Sequence, residues 1–385
     1  LSKSFFDKVV KGLFIDRPNR FIVNCWIDGQ KKRAYLPNPG RLWELFFPNR
    51  SLYLTPNREG QKTEYTVVAV ERDGMPIMLH THVTNKVVQH LIETNRVPGL
   101  EGAEVVKAEA TSGHHRFDFL LRYQGRPYML EVKSCTLFEG SVAMFPDAVT
   151  ERGRSHLESL AQLAQNEEID CGVLFLVQWP RGRFFLPDYH ADLAFAQTFY
   201  ELRNHINYQA LAISWNDDLT LAEGQAPLTI PWDYLSQELN DGGSYLIVMH
   251  LPERTTLTVG SLGEIILEPA YYVYVGTAKT NLTQRVNRHL RKKKTLRWHV
   301  DYLREKATTC SALPIRTTER IEHDLAGRLA SLAQWTVPGF GCSDCKCTSH
   351  LFAFTDNPQH SEPFIEMLQY FRMGRVEERL LSPLE

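Results

Sequence analysis

The sequence predicts a multidomain protein that mixes α+β and α/β architecture, with a small β-barrel at its N-terminal end. Three observations lead there. The chain has 385 residues, more than one hydrophobic core ordinarily organises. Short strands with alternating apolar residues and spaced turn signals fill residues 1–80. From there on, helical and strand patterns alternate, as they do in layered α/β domains.

The barrel strands are RFIVNCWID from Arg20, KKRAYL from Lys31, SLYLT from Ser51 and EYTVVAVE from Glu64, with a turn at Pro37-Asn38-Pro39-Gly40. The second domain takes residues 81–239. Its first helix is capped by Asn85 and runs through Ile92. Strands are expected at Glu104–Glu109, Arg116–Arg122 and Tyr128–Ser134, then a helix over roughly Thr150–Gln165 and a buried strand from Cys171. A helix at Leu193–Asn207 and a strand at Ala210–Ser214 follow. The order α-β-β-β-α-β describes a mixed α/β core. Asn240-Asp241-Gly242-Gly243 reads as a flexible linker, and the third domain takes residues 240–385. It opens with a hairpin-like pair, SYLIVMHL from Ser244 and AYYVYVG from Ala270. Basic helical sequence starts at Leu282, and a polar loop with one amphipathic helix lies beyond Thr355.

Hydrophobic residues make up 43% and charged residues 23%, the balance of an ordinary globular chain. The formal net charge is -2, so nucleic-acid binding needs local basic surface. No apolar run is long enough to cross a bilayer, and Lys3, Asp7, Lys8 and Lys11 interrupt any signal-peptide core. Cysteine is sparse until Cys342, Cys345 and Cys347, and the total of 7 is odd. That usage points to reduced thiols and a cytoplasmic location.

One strand carries the first chemical pattern. In MLEVKS from Met129, Glu131 and Lys133 share one face while Leu130 and Val132 share the other. RFDFLL from Arg116 sets Asp118 between Phe117 and Phe119, and a short link makes the two strands a hairpin, so Asp118 approaches Glu131. Converging carboxylates offer hard oxygen ligands to Mg²⁺ or Mn²⁺. A lysine beside them orients or helps deprotonate an attacking water, and the metal stabilises charge on a phosphodiester. The plainer account is a surface hairpin with a solvated Glu–Lys pair. The apolar flanks and the order of elements count against it.

The D…ExK pattern in this setting resembles the PD-(D/E)XK nuclease superfamily. More narrowly, residues 1–235 resemble the sugar fermentation stimulation protein A family, through NPGRLWEL from Asn38, RFDFLL, LEVKSCTL from Leu130 and FPDAVTERGRSHLESL from Phe145. The resemblance implies an OB-like barrel, then a nuclease-like domain, with DNA as ligand and Asp118, Glu131 and Lys133 at the metal and lysine positions. Such proteins often carry an acid on the first helix of the core. Here Gln89 and His90 stand where it is expected, and Glu93 and Glu109 are the candidate substitutes. Arg152, Arg154 and His156 near a helix start suit a phosphate, with Arg116 as a further candidate contact; an ordinary solvated helix face is the equal alternative.

The third domain carries a basic run: Arg285, Arg288, His289, Arg291, Lys292, Lys293, Lys294, Arg297 and His299, interleaved with Trp298 and Tyr302. Such runs are usually solvated helix ends, but the aromatic residues favour nucleic acid. Gly243-Ser244-Tyr245, Tyr274-Val275-Gly276, Arg285 with His289, and Glu322 in EHDLA resemble a GIY-YIG nuclease domain. The match is to an uncharacterised branch of it, through RVNRHLRKKK, RWHVDYL and GFGCSDCKCTSHLF. The resemblance implies that Tyr245 and Tyr274 position or activate water, that Arg285 holds the phosphate and that Glu322 binds Mg²⁺. The alternative is that the tyrosines are hairpin core and Glu322 a first-turn acid favoured by the helix dipole.

Cys342, Cys345, Cys347 and His350 offer three thiols and an imidazole, a set that suits tetrahedral Zn²⁺; a Cys-lined tight turn is the other reading. Together these features predict a DNA-binding, Mg²⁺-dependent phosphodiester hydrolase. The rival is a non-catalytic DNA-binding regulator, and an RNA-directed enzyme is the third alternative.

Overall fold

Alternating buried and exposed residues close the N-terminal strands into a barrel in the computed structural model, which describes residues 3–112, 115–166, 169–342, 345 and 347–382. Strands β1 (Val10–Asn19), β2 (Ile22–Ile27), β3 (Gln30–Tyr35), β4 (Ser51–Pro56), β5 (Tyr65–Arg72) and β6 (Met75–Met78) pair in the order β3-β2-β1-β4-β5-β6. Parallel pairing of β3 with β5, Ala34 opposite Tyr65, joins the ends, which leaves few unpaired edges. Along β2, Val23, Cys25 and Ile27 point inward while Trp26 is exposed.

A mixed sheet follows. Its elements are α1 (Thr84–Glu93), β7 (Glu104–Ser112), β8 (His115–Tyr123), β9 (Arg126–Cys135), β10 (Leu137–Glu139), β11 (Val142–Phe145), α2 (Glu151–Asn166), β12 (Asp170–Val177), β13 (Phe184–Pro187), α3 (Leu193–Glu201), β14 (Asn207–Ala212), β15 (Ala226–Pro227) and α4 (Trp232–Glu238). The strand order is β15-β14-β12-β9-β8-β7, with β12 parallel to both β9 and β14. A central parallel strand is covered on both faces, which is why CGVLFLV reads as one apolar run. Leu130, Val132, Leu174 and Leu176 meet Val87, Val88 and Leu91 of α1 in one core. The small sheet β10-β11-β13 was not expected. Strands of three and four residues are too short for alternation to register.

Asn85 does not cap the first helix. Thr84 opens that helix, and Val83 precedes it without a side-chain cap. Asn85 lies in the first turn, and its amide reaches Asp118 instead. At α2, by contrast, Thr150 Oγ1 accepts from Gly153 N at 3.0 Å and caps the helix where the sequence starts it.

The third region contains β16 (Gly243–Leu251), β17 (Thr255–Val259), β18 (Gly263–Leu267), β19 (Ala270–Ala278), α5 (Leu282–Leu290), α6 (His299–Lys306), β20 (Thr309–Arg316), α7 (Glu322–Leu332), β21 (Trp335–Thr336), β22 (Leu351–Phe354), α8 (Glu362–Gln369) and α9 (Arg375–Leu381). The sheet runs β20-β16-β19-β22-β21. Strands β16 and β19 pair antiparallel as expected, and a second hairpin, β17–β18, is inserted between them. The linker reading is corrected at its C-terminal half: Gly243 already belongs to β16, and Asp241 caps α5. Its carboxylate accepts from Thr283 N at 3.1 Å and its carbonyl from Leu282 N at 2.9 Å. Arg291 to Lys294 lie between α5 and α6 rather than on a helix. A π-helical turn at Tyr370–Gly374 separates α8 from α9.

By contact the chain divides into two units, Leu1–Asp188 with Ala194–Leu235 and Val376–Glu385, and Tyr189–Leu193 with Ser236–Arg375. Among the described residues no helix is long and apolar enough to cross a membrane.

Leu174 is fully buried between β9 and β14. Leu174→Ala is expected to cost the first unit about 2–5 kcal/mol, read as a lower urea midpoint. An unchanged midpoint would remove Leu174 from the core.

Candidate functional site

The β8–β9 ladder ends at Phe119 opposite Leu130, and at that point the backbone hands over to a side chain. Asp118 Oδ2 accepts from Val132 N at 2.7 Å, and Asp118 Oδ1 accepts from Asn85 Nδ2 at 2.7 Å. Glu131 is buried, and its Oε1 takes the Lys133 ammonium and, at 2.7 Å, His156 Nδ1. Arg152 Nε lies 3.4 Å from His156 Nε2. A guanidinium only donates, so Nε2 accepts and the proton sits on Nδ1, facing Glu131. Among the described residues Glu131 Oε2 is buried with no hydrogen-bond partner.

The two carboxyls are pushed in opposite directions. Burial first, and then the neighbouring Glu131 charge, raise Asp118 above the usual carboxylate range. Burial also acts to raise Glu131, but the His156 hydrogen bond and the Lys133 ammonium outweigh it and hold Glu131 low. A buried carboxylate oxygen with no donor, next to a carboxyl short of positive charge, is a donor set that a hard divalent cation would complete.

The other candidates here are not brought to that point. Glu109 is exposed and pairs with Arg116 at 2.8 Å. Gln89 Nε2 donates to Glu93 Oε1 at 2.7 Å, on an exposed stretch of α1. The side chain that α1 does aim at Asp118 is Asn85, an amide and not an acid. Arg154 faces Glu158 at 3.8 Å along α2, while Arg152 reaches His156 beside Glu131.

In the third region, a pocket of about 320 Å³ gathers Tyr245, Tyr274, Arg285, His289 and Glu322. The sheet register explains the tyrosines: Tyr245 lies opposite Gly276, and Tyr274 opposite Ile247. A Cβ on Gly276 would run into the Tyr245 ring, so the strand needs glycine where the ring lies across it. Tyr245 Oη is 3.0 Å from His289 Nε2, and His289 Nδ1 faces Asp301 Oδ1 at 3.7 Å. Burial lowers His289 and raises Tyr245, with Arg285 offsetting the latter in part. Arg285 Nη1 donates to Thr277 O at 2.9 Å, and its guanidinium lies 5.4 Å from the Trp298 ring. Glu322, the first residue of α7, faces His350 Nδ1 at 3.3 Å.

Three of the four proposed zinc ligands come together. The ligand atoms of Cys345, Cys347 and His350 lie within 4.8 Å of one another, and the fourth member is His323, not Cys342. Cys342 lies outside that group: its Sγ faces Phe340 O at 3.5 Å and borders the Cys345 thiol. His323 carries no signal of this role in the sequence, because it comes from the start of α7, apart from the cysteines along the chain. Asn85 was visible but assigned to a cap, and His156 was visible only as one of a basic trio. Trp298 within the basic run and Asp301 just after it were visible, yet their roles depend on a loop conformation that no periodicity encodes.

The basic run is partly spent inside the protein. Asp301 is fully buried and accepts from Arg288 Nη2 at 2.9 Å, from Lys294 Nζ at 3.0 Å and from the Arg297 and Trp298 backbone amides. Arg291, Lys292 and Lys293 remain exposed. Burial acts to raise Asp301, but these donors and His289 hold it far below the usual carboxylate range. A depressed carboxyl adds stability that is present above its unfolded value, about 3.9, and is lost as pH falls towards the folded value. Asp301→Asn should therefore destabilise the second unit by about 3–5 kcal/mol at neutral pH, by leaving buried cations unpaired. It should also flatten the loss of stability below about pH 4. Thermal melts across pH read both, and an unchanged acid slope would remove Asp301 as its source.

Three family models match in sequence order: the SfsA N-terminal OB domain at residues 15–79, the sugar fermentation stimulation protein RE domain at 82–218, and the domain of unknown function DUF123 at 244–373. The chain is 38% identical over 188 residues to the sugar fermentation stimulation protein homolog of Methanothermobacter thermautotrophicus, covering 49% of this chain and 78% of the relative. It is 39% identical over 202 residues to the homolog of Methanosphaera stadtmanae, covering 51% and 83%. The solved structure of Pyrococcus furiosus SfsA in complex with Ca²⁺ superposes with a TM-score of 0.55 at 28% identity, covering 60% of this chain and 99% of that one. The chain therefore belongs to the sugar fermentation stimulation protein family, with its OB and RE domains followed by a GIY-YIG-like DUF123 domain.

Proposed function

We propose that the chain binds DNA and hydrolyses its phosphodiester bonds with Mg²⁺ or Mn²⁺ at Asp118 and Glu131. The observation that carries this reading is the buried Glu131 Oε2 without a donor, beside an Asp118 whose carboxyl is raised. The Pyrococcus furiosus relative was solved with Ca²⁺, another hard cation that takes oxygen ligands. When bound, the metal supplies Lewis acidity to the phosphate and lowers the pKa of water. Lys133 holds Glu131 ionised and presents an ammonium to the incoming phosphate or water. His156 fixes the second side of the same carboxylate, and Asn85 and Val132 N fix Asp118. Arg152, at the start of α2, is placed to meet a phosphate oxygen.

The GIY-YIG-like pocket is the second candidate centre. There Tyr245 donates to a His289 that burial keeps neutral, which leaves the tyrosine oxygen lone pairs for a water. Arg285 and the exposed Arg291, Lys292 and Lys293 supply positive charge for a phosphate. In this reading Glu322 holds Mg²⁺.

One observation favours a DNA-binding regulator without turnover: α1 offers an amide, not a carboxylate, to Asp118. An assay with end-labelled single- and double-stranded DNA in Mg²⁺, Mn²⁺ or EDTA separates the two. Hydrolysis predicts metal-dependent cleavage. Asp118→Ala, Glu131→Ala or Lys133→Ala should reduce it by at least about 10²-fold if the first site works, and Glu322→Ala if the second does. Binding without cleavage under every metal would leave the regulator, and stronger competition by RNA than by DNA would redirect the substrate class. Replacing Arg291, Lys292 and Lys293 together should reduce the slope of log affinity against log salt by about 2–3; an unchanged slope would move the contact surface elsewhere.

A further inference from the structure

We propose that His323, Cys345, Cys347 and His350 form a zinc site that fixes Glu322 from both sides. The inference stands apart from the nuclease reading, since it concerns metal binding alone.

The donor set, two thiols and two imidazoles drawn to one point, is that of a soft-metal site. Zinc binds nitrogen at about 2.0 Å and sulfur at about 2.3 Å, so tetrahedral edges fall on the order of 3.3–3.8 Å. His323 Nδ1 lies 3.0 Å from Cys347 Sγ, His350 Nε2 lies 3.3 Å from Cys345 Sγ, and all four atoms fall within 4.8 Å of one another. Two thiolates and two neutral imidazoles balance the charge of Zn²⁺. Carboxylate-preferring cations such as Mg²⁺ and Ca²⁺ are poorly served by this set.

A second observation points the same way. His350 Nδ1 has two acceptors, Glu322 Oε1 at 3.3 Å and Val275 O at 3.3 Å. The proton therefore belongs on Nδ1, which leaves the Nε2 lone pair aimed at the cluster. A histidine whose far nitrogen donates to a carboxylate and a carbonyl, while its near nitrogen faces thiols, is the arrangement that orients an imidazole for a metal. His350 is also buried, and Gly341 lies against its Cβ and the Tyr274 ring with a φ of +75°. That position favours glycine twice, for the backbone angle and for the space.

The consequence falls on Glu322. Its backbone is joined directly to His323, and its carboxylate accepts from His350. Metal at the cluster would hold the first turn of α7 against Cys345, Cys347 and His350, with Glu322 in the pocket beside Tyr245 and Tyr274.

The full reduced chain, purified without added chelator, should retain about one zinc per chain by mass spectrometry of metals. Exchange for Co²⁺ should give thiolate charge-transfer absorption and the intense visible bands of a tetrahedral centre. Cys347→Ser and His323→Ala should each abolish or shift those bands, and His323→Cys should restore a four-coordinate spectrum. Glu322→Ala should weaken zinc by about 10–100-fold, as loss of an outer-shell carboxylate does. Cys342→Ser should leave zinc content and spectrum unchanged. Circular dichroism of each variant reads folding separately from binding. No retained zinc and no cobalt spectrum in the folded wild-type chain would overturn the site. So would loss of the spectrum in Cys342→Ser with retention in His323→Ala.

Discussion

The alternation of one strand governs the first half of the molecule. Strand β9 is hydrogen-bonded on both sides, to β8 and to β12. Its side chains have two directions only. Burying Leu130 and Val132 against α1 turns Glu131 and Lys133 towards α2, where His156 waits. A register slip of one residue would bury the acid and the lysine in the apolar core, so the packing that stabilises the sheet also fixes the polar cluster. The cluster in turn compensates its own burial: Glu131 enters a desolvated site with an ammonium and an imidazole N–H already in place.

The second unit reaches a similar end with a different device. Asp301 draws Arg288, Lys294 and two backbone amides around a fully buried carboxylate. That arrangement ties the segment between α5 and α6 to the first turn of α6 and sets Trp298 5.2 Å from the His289 ring. His289 then presents Nε2 to Tyr245. A surface stripe of cations, which is how the run reads in sequence, becomes in part an internal scaffold. A buried ion cluster adds little net stability when compared with apolar packing, yet it is costly to break, and this is what makes it specify one loop conformation.

Much of the fold was legible because it rests on periodicity. Barrel strands β2 to β5, the helix–strand order and the pairing of β16 with β19 follow from apolar spacing and turn residues, whereas β1 and β6 did not stand out, and the family resemblance extends through the OB, RE and DUF123 regions. Glu131 and Lys133 were legible as a pair for the same reason, since a spacing of two in a strand fixes their common face. What the spacing could not show is long-range closure. Asn85 has the residue type of a cap and sits at a helix start, so local reasoning assigns it there; only the approach of α1 to β8 makes it a partner of Asp118. His323 joins Cys345, Cys347 and His350 because α7 delivers it from elsewhere in the chain, a meeting that local C-x2-C spacing does not show. The strands β10, β11 and β13 escaped notice because they are too short to show a period.

The disposition of charge bears on how such a chain could hold a polyanion at a net charge of -2. Several of the cations that look available in the sequence are already matched: Arg116 by Glu109, Arg154 by Glu158, and Arg288 and Lys294 by Asp301. The exposed pairs are weak and exchangeable, because water screens them and a phosphate can compete for the guanidinium. The Asp301 pairs are not exchangeable, because releasing either cation would strand a buried carboxylate. In the proposed DNA-binding reading, Arg291, Lys292, Lys293 and the half-exposed Arg285 in the second unit, and Arg152 in the first, would join the exchangeable Arg116 and Arg154 as sources of attraction to a phosphate backbone. A few cations set close to pocket-lining polar groups favour local engagement of one phosphate over long-range adhesion, which is the balance that a site built for chemistry or selective binding requires.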